Sequence, residues 1–192
     1  MLVKSTTLNK AAVIELEPIE DNRGYFARSF CKGTMVEYGI DFDVVQTNVA
    51  FNHYARTLRG MHFQAPPFSE DKIVSCFQGA IYDVIIDLNR DSSTFGKWYG
   101  LTLSEENRLA LYVPKGFAHG YLTLTDNTSI HYMVSEYYTP SYESGVRWND
   151  PAFEIEWPFT ENLILSPKDE RWEDFNIYTD GMIQSKGENY GQ

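Results

Sequence analysis

From position 11 to about position 150 the chain alternates short apolar, β-branched runs with turn residues. Residues 72–79 (Lys-Ile-Val-Ser-Cys-Phe-Gln-Gly) and 80–87 (Ala-Ile-Tyr-Asp-Val-Ile-Ile-Asp) read as two strands, and the Gln78-Gly79 pair between them predicts a hairpin turn. Successive strand side chains point to opposite faces, so Ile81, Asp83, Ile85 and Asp87 share one face and Tyr82, Val84 and Ile86 the other. A second hairpin is expected from residues 120–125, the turn Asp126-Asn127, and residues 128–134. Residues 109–113, stopped by Pro114 and the Lys115-Gly116 turn, form a further strand. Strands at roughly 8–12-residue spacing predict an all-β sandwich or barrel. Helices should be few and short: residues 31–38, ahead of Gly39, are one candidate, and 104–107 look like a turn. No internal repeat or low-complexity stretch divides the chain, so residues 1–180 read as one domain. Residues 181–192 are polar and Gly-rich, which predicts a loose tail.

Length agrees, since 192 residues suit one domain at about 150 residues per domain. The aromatic share of 15% strengthens the β reading, because flat rings pack well on pleated sheets. Charge changes the picture more. Lys and Arg number 16 against 27 Asp and Glu, a net charge of −11. That argues against a nucleic-acid partner, whose affinity comes from basic residues on phosphates, but leaves room for a small phosphorylated ligand. No apolar run approaches the ~18 residues that span a bilayer, and the opening Met-Leu-Val-Lys-Ser-Thr-Thr lacks the order of a signal peptide. Cys31 and Cys76 have no spacing that demands a bridge, so free thiols in a cytoplasmic protein are expected.

Two of the four histidines stand between turn residues: His62 in Arg59-Gly60-Met61-His62-Phe63-Gln64, and His119 in Pro114-Lys-Gly-Phe-Ala-His-Gly120. Strand ends beside glycines are where small-molecule sites are built, although a satisfied structural histidine reads the same way. A metal site is not expected. There is no CxxC, and Gln64 stands where a His-x-His pair would need its second ligand. Arg23, Arg59, Lys72 and Lys115 flank these segments, either as solvated surface charges or as a clamp for a diphosphate, and composition leaves both open. Tyrosines cluster at Tyr132, Tyr137, Tyr138 and Tyr142. By alternation Tyr132 lies inward with Ile130 and Val134, as a core ring or as a hydroxyl with work to do. No Gly-x-Ser-x-Gly elbow, P-loop or Rossmann fingerprint is present, so acyl transfer, NTP hydrolysis and dinucleotide redox have no motif.

Several segments stand in a telling order: Gln46-Thr-Asn48, Leu58-Arg-Gly-Met-His-Phe-Gln64, Gly79-Ala-Ile-Tyr-Asp-Val-Ile-Ile-Asp-Leu88, Ser93-Thr-Phe-Gly-Lys-Trp98 and Val113-Pro-Lys-Gly-Phe-Ala-His-Gly120. Gly145-Val-Arg-Trp-Asn-Asp-Pro151, Trp157-Pro158 and Leu165-Ser-Pro-Lys-Asp169 follow them. Over roughly residues 10 to 170 this series resembles the dTDP-4-dehydrorhamnose 3,5-epimerase family.

The resemblance implies a cupin-like jelly-roll β-barrel or sandwich and an isomerase. Its substrate would be a nucleotide-diphosphate 4-keto-6-deoxy sugar, epimerised beside the carbonyl with neither metal nor cofactor. It makes His62 the base, Asp169 the carboxylate paired with it, Tyr132 the acid on the opposite face and Lys72 the cation beside the developing oxyanion. Imidazole, with an ordinary pKa of about 6.5, suits proton abstraction near neutral pH. Substrate contacts carry over as Arg23, Gln46, Asn48, Arg59, His119, Tyr138, Glu143 and Lys168, with a homodimer in which an N-terminal strand bearing Arg23 completes the neighbour's site. One position departs from the family. Arg28 stands where a glutamate is usual, and a guanidinium only donates hydrogen bonds, so a CDP- or other nucleotide-linked sugar is plausible beside a dTDP-linked one. The stretch 49–56 also reads as a loop one residue longer than usual. Inversion at carbon 3, carbon 5 or both stays open, as do a sugar-nucleotide ketoisomerase and a non-catalytic cupin-like binding protein.

Overall fold

The computed structural model describes residues 1–176, so the expected tail at 181–192 and the end of the 1–180 domain lie outside the described residues. In chain order the strands are β1 (Leu2–Ser5), β2 (Ala12–Glu15), β3 (Ile19–Asp21) and β4 (Gly24–Phe26), followed by the short helix α1 (Lys32–Glu37). Then come β5 (Gln46–Asn52), β6 (Leu58–Gln64), β7 (Lys72–Gln78), β8 (Ala80–Asp87) and β9 (Trp98–Ser104). β10 (Leu109–Val113), β11 (Phe117–Thr123), β12 (Thr128–Val134) and β13 (Glu143–Gly145) complete the set. The strands at 109–113 and 128–134, the short helix within 31–38 and the turn at 104–107 are as the sequence predicts.

The two expected hairpins are not hairpins. One sheet runs β1-β2-β10-β7-β12-β5 and the other β13-β6-β11-β8-β9, all pairs antiparallel. β7 and β8 therefore lie in different sheets, and so do β11 and β12. Each tight turn carries the chain from one sheet to the facing one. The two corners pack on each other: Gly79 has φ +73°, and a Cβ there would sit 2.4 Å from Thr125 Oγ1 and 2.7 Å from Thr128 Oγ1. The turn residues were read correctly, but a reversal within a sheet and a step between sheets use the same ones. Likewise 49–56 is only partly a loop, since Val49 to Asn52 belong to β5.

Between the sheets lies a core of Val74, Cys76, Leu111 and Ile130 from one side and Ile81, Ile85, Leu103 and Tyr121 from the other. The alternation expected along β8 holds, because Val84 and Ile86 face a second cluster on the outside of the five-stranded sheet. That cluster is roofed by the chain after β13, through Val146, Phe153 and Trp157. The roofing segment also extends the sheet: Val146 N–H donates to Met61 O at 3.1 Å, and Met61 N–H returns a bond to Val146 O at 3.2 Å. α1 and its neighbours cover part of the other outer face through Met35, Ile40 and Phe42. β3 and β4 form a separate ribbon whose paired residues Ile19 and Phe26 are 73% and 70% exposed.

One contact fixes the sheet that carries the histidines. At Gly60, φ is +132° and an added Cβ would lie 2.5 Å from Gly120 Cα and 3.0 Å from His119 O. At Gly120 it would lie 2.8 Å from Arg59 O. Two backbones meet here with no room for a side chain on either. Gly60→Ala should cost about 3 kcal/mol of stability, from backbone strain plus an unyielding clash. Gly33→Ala, on α1 with nothing within 4 Å of the new methyl, should leave the urea midpoint unchanged or raise it slightly. Equal midpoints for the two variants would remove Gly60 from this role.

Candidate active site

Antiparallel register pairs His62 on β6 with His119 on β11, so both rings leave the same face of the five-stranded sheet. They look across a cavity of about 430 Å³ toward the six-stranded sheet. The opposite wall is built from neighbouring strands: Gln46 and Asn48 on β5, Lys72 on β7 and Tyr132 on β12. Tyr132 stands opposite Asn48 and Val134 opposite Lys72, and Ile130, Tyr132 and Val134 all face inward as alternation predicts.

His62 is bound to the end of the described chain. Its Nε2 lies 2.5 Å from Asp169 Oδ1, and the Asp169 side chain is only 3% exposed, in the 3-10 turn Asp169–Arg171. Burial pushes the Asp169 carboxyl up, but the hydrogen bond and charge of His62, with bonds from Ser166 and the Gly60 N–H, outweigh it and hold the group below the usual carboxylate value. With Nε2 engaged by the carboxylate, Nδ1 is the ring nitrogen left to accept a proton. The Trp172 ring stands edge-on to His62 at 6.2 Å and lies over Gly145, where a Cβ would be 2.4 Å from the indole.

His119 has its own carboxylate. Its Nε2 is 2.8 Å from Asp83 Oδ1, and Asp83 is fully buried. Lys72 is paired with Glu70 at 2.7 Å. Arg59 donates through Nε to Asn52 Oδ1 at 2.9 Å, and Asn52 is itself buried beside Tyr121. At the rim, Tyr138 donates to Glu143 at 2.5 Å, and Glu143 is ion-paired to Lys168. That bond, with burial and the Glu143 charge, pushes the Tyr138 phenol up to about 12. Burial also raises the Tyr132 phenol, a rise that nearby Arg59 opposes and Glu70 and Glu143 reinforce. Tyr132 therefore keeps its proton at neutral pH.

Gln46, Asn48, Arg59, His62, Lys72, His119, Tyr132, Tyr138 and Glu143 thus line one cavity, with Asp169 behind His62 and Lys168 at the rim. Arg23 and Arg28 do not line it. Arg23 is 85% exposed on the β3–β4 ribbon, where it pairs with Asp21 at 2.5 Å, and Arg28 is exposed on the segment that follows. Lys115 lines a different cavity, beside Asp71. Asp83, Glu70 and Asn52 were not singled out from the sequence, and Gln64 was noted only as the residue that breaks a His-x-His pair. Only Asp83 left a signal there, as an acid on the inward face of an apolar strand. Both cysteines are free, and no group of three metal-ligating side chains occurs among the described residues.

A jelly-roll sandwich with a histidine–carboxylate pair on one inner wall and a phenol and an ammonium on the other defines a cupin-like protein whose cavity holds groups able to take and give protons. The profile of the dTDP-4-dehydrorhamnose 3,5-epimerase family matches residues 5–176, and the chain belongs to that family. It is 41% identical to dTDP-4-dehydrorhamnose 3,5-epimerase of Methanothermobacter thermautotrophicus over 87% of this chain and 90% of that one. The Bacillus anthracis dTDP-4-dehydrorhamnose 3,5-epimerase, crystallised with TDP and PPi bound, superposes with TM-score 0.88 at 43% identity, covering 91% of this chain and 99% of that one. dTDP-6-deoxy-D-glucose-3,5-epimerase from Legionella pneumophila, in complex with dTDP-4-keto-L-rhamnose, gives TM-score 0.88 at 33% identity over 96% and 99%.

The Asp169 geometry makes stability depend on pH with a definite sign. Its folded-state value lies below the ordinary one, so its contribution is complete above an unfolded value of about 3.9 and is lost as pH falls through the folded value. Asp169→Asn should lower stability by about 1–3 kcal/mol at pH 7, a difference that narrows once pH drops below about 4. Urea unfolding at the two pH values reads this. A gap that widens in acid would contradict the pairing.

Proposed function

We propose that the protein epimerises a dTDP-linked 4-keto-6-deoxyhexose at carbons 3 and 5 by proton abstraction and return through an enolate. The observation that carries this reading is the His62–Asp169 pair at 2.5 Å on one sheet, facing Tyr132 and Lys72 on the other across a single cavity. Carbons 3 and 5 both flank the carbonyl, so a proton lost from either leaves its electron pair delocalised onto the carbonyl oxygen. His62 takes that proton, and Asp169 stabilises the resulting imidazolium, as a triad aspartate does for its histidine. Lys72 donates to the developing oxyanion, a contribution worth about 2.7–4 kcal/mol where such donors have been removed from other enzymes. Tyr132 delivers a proton to the opposite face, which inverts the centre, and solvent restores the phenol and takes up the proton held by His62. The chemistry calls on neither a metal nor a redox cofactor. The family match favours dTDP over a CDP-linked sugar, and a complete acid–base set favours epimerisation over mere binding.

A homodimer is part of the proposal. The cavity and its rim hold Glu70, Glu136 and Glu143 against Arg59, Lys72 and Lys168, a poor balance for a diphosphate. Arg23 on a neighbour's ribbon and Arg28 just beyond it would correct it. Exposed Ile19 and Phe26 on that ribbon, with Val49 and Phe51 on the edge strand β5, supply apolar surface for the exchange. Free thiols at Cys31 and Cys76 suit a cytoplasmic setting. No described helix is long and apolar enough to cross a membrane.

Solvent deuterium tests the roles directly. With dTDP-4-keto-6-deoxyglucose in D2O, the wild type should place deuterium at carbons 3 and 5. His62→Ala should abolish exchange and inversion by about 10²–10⁴-fold. Tyr132→Phe should keep some exchange and lose inversion, and normal inversion by this variant would remove Tyr132 as the acid. For assembly, Ile19→Glu with Phe26→Glu should convert a sedimenting dimer to monomer and lower turnover. A fully active monomer would refute strand exchange.

A further inference from the structure

Two cations face the cavity directly, and their partners differ in kind. Arg59 is held by the neutral amide of Asn52 and has no ion-pair partner among the described residues. Lys72 is held by a carboxylate, with Glu70 Oε1 at 2.7 Å, and the two side chains are 12% and 10% exposed. Glu70 is fixed in turn, because its other oxygen accepts from Gln64 Nε2. Gln64 is 3% exposed and ties β6 to two further stretches of backbone. Its Nε2 shares its two hydrogens among Glu70, Phe68 O at 3.0 Å and Tyr137 O at 3.2 Å, while its Oε1 accepts from Thr139 N–H at 2.6 Å. The residue that occupies the second position of a would-be His-x-His pair is thus the anchor of a carboxylate.

We infer that Glu70 is a positioning residue that sorts the two cations by task, directing the diphosphate to Arg59 and keeping Lys72 for the sugar carbonyl. The inference rests on the reading of Lys72 as the donor to the enolate oxygen. A lysine is a compact point charge on a flexible stem, and an unpaired one in this cavity would be drawn to the strongest anion present, the substrate's diphosphate. A fixed counter-ion removes most of that ground-state attraction and pins the ammonium. The lysine still has hydrogen-bond donors for an oxygen that becomes anionic only during reaction. Binding strength is thereby withheld from the substrate and expressed in the transition state, which is the condition for raising kcat.

Glu70→Gln keeps the shape and an acceptor and removes the charge. Calorimetry with dTDP should show three- to tenfold tighter binding, while kcat on dTDP-4-keto-6-deoxyglucose falls at least tenfold, with matching losses of deuterium exchange at carbons 3 and 5. A side chain with only a structural role would weaken dTDP binding along with turnover. Glu70→Asp, which retains the charge with a shorter reach, should give an intermediate kcat and dTDP affinity within twofold of wild type. Wild-type kcat in Glu70→Gln, unchanged or weaker dTDP binding in it, or a larger kcat loss in Glu70→Asp than in Glu70→Gln would each overturn the assignment. Failure of the wild type itself to exchange at either carbon would instead overturn the functional reading, so the two are told apart.

Discussion

The bare-backbone contact between Gly60 on β6 and Gly120 on β11 is the constraint on which the site depends. It lets two strands approach more closely than any side chain would permit, beside a register irregularity in β11. From that approach His62 and His119 come to stand opposite each other. The Gly60 N–H is also freed to reach Asp169, and Met61 turns its backbone to the chain after β13. The histidines, their alignment and the carboxylate behind one of them are consequences of two missing methyl groups.

Around this frame, charge is placed against the grain of an acidic chain. A net −11 would repel a sugar nucleotide, yet four of the acids near the cavity are turned to side-chain partners. Asp169 is turned to His62, Asp83 to His119, Glu70 to Lys72 and Glu143 to Lys168 and Tyr138. These carboxylates orient hydrogen-bond donors, and the pairing lowers the repulsion an incoming anion would meet. The excess negative charge lies on the outer surface, where it favours solubility.

Strand positions were legible because alternation of apolar side chains is a local property, as residues 109–113 and 128–134 show. Which strand pairs with which was not. Gln78-Gly79 and Asp126-Asn127 announce a change of direction without saying whether the chain stays in its sheet. Here both corners cross to the facing sheet and lean on one another through Gly79, Thr125 and Thr128. The candidate site residues were picked out through motif order, and the cavity brings His62, Lys72 and Tyr132 together. The residues that hold them were harder to see. Glu70 lies in a loop, and its importance arises only when that loop folds Gln64 and Lys72 toward each other. Arg23 and Arg28 mark the opposite limit: the sequence names them as substrate contacts, yet Arg23 sits on the β3–β4 ribbon and Arg28 just after it, both outside this chain's own cavity.

Asp169 enters the site from beyond the last strand, on a segment that docks over the outside of a finished sheet. Both sheets, and with them His62, Lys72 and Tyr132, are complete in sequence by Gly145. In chain order Asp169 thus follows all the described strands, and His62 gains its carboxylate partner only when this later segment docks beside β6.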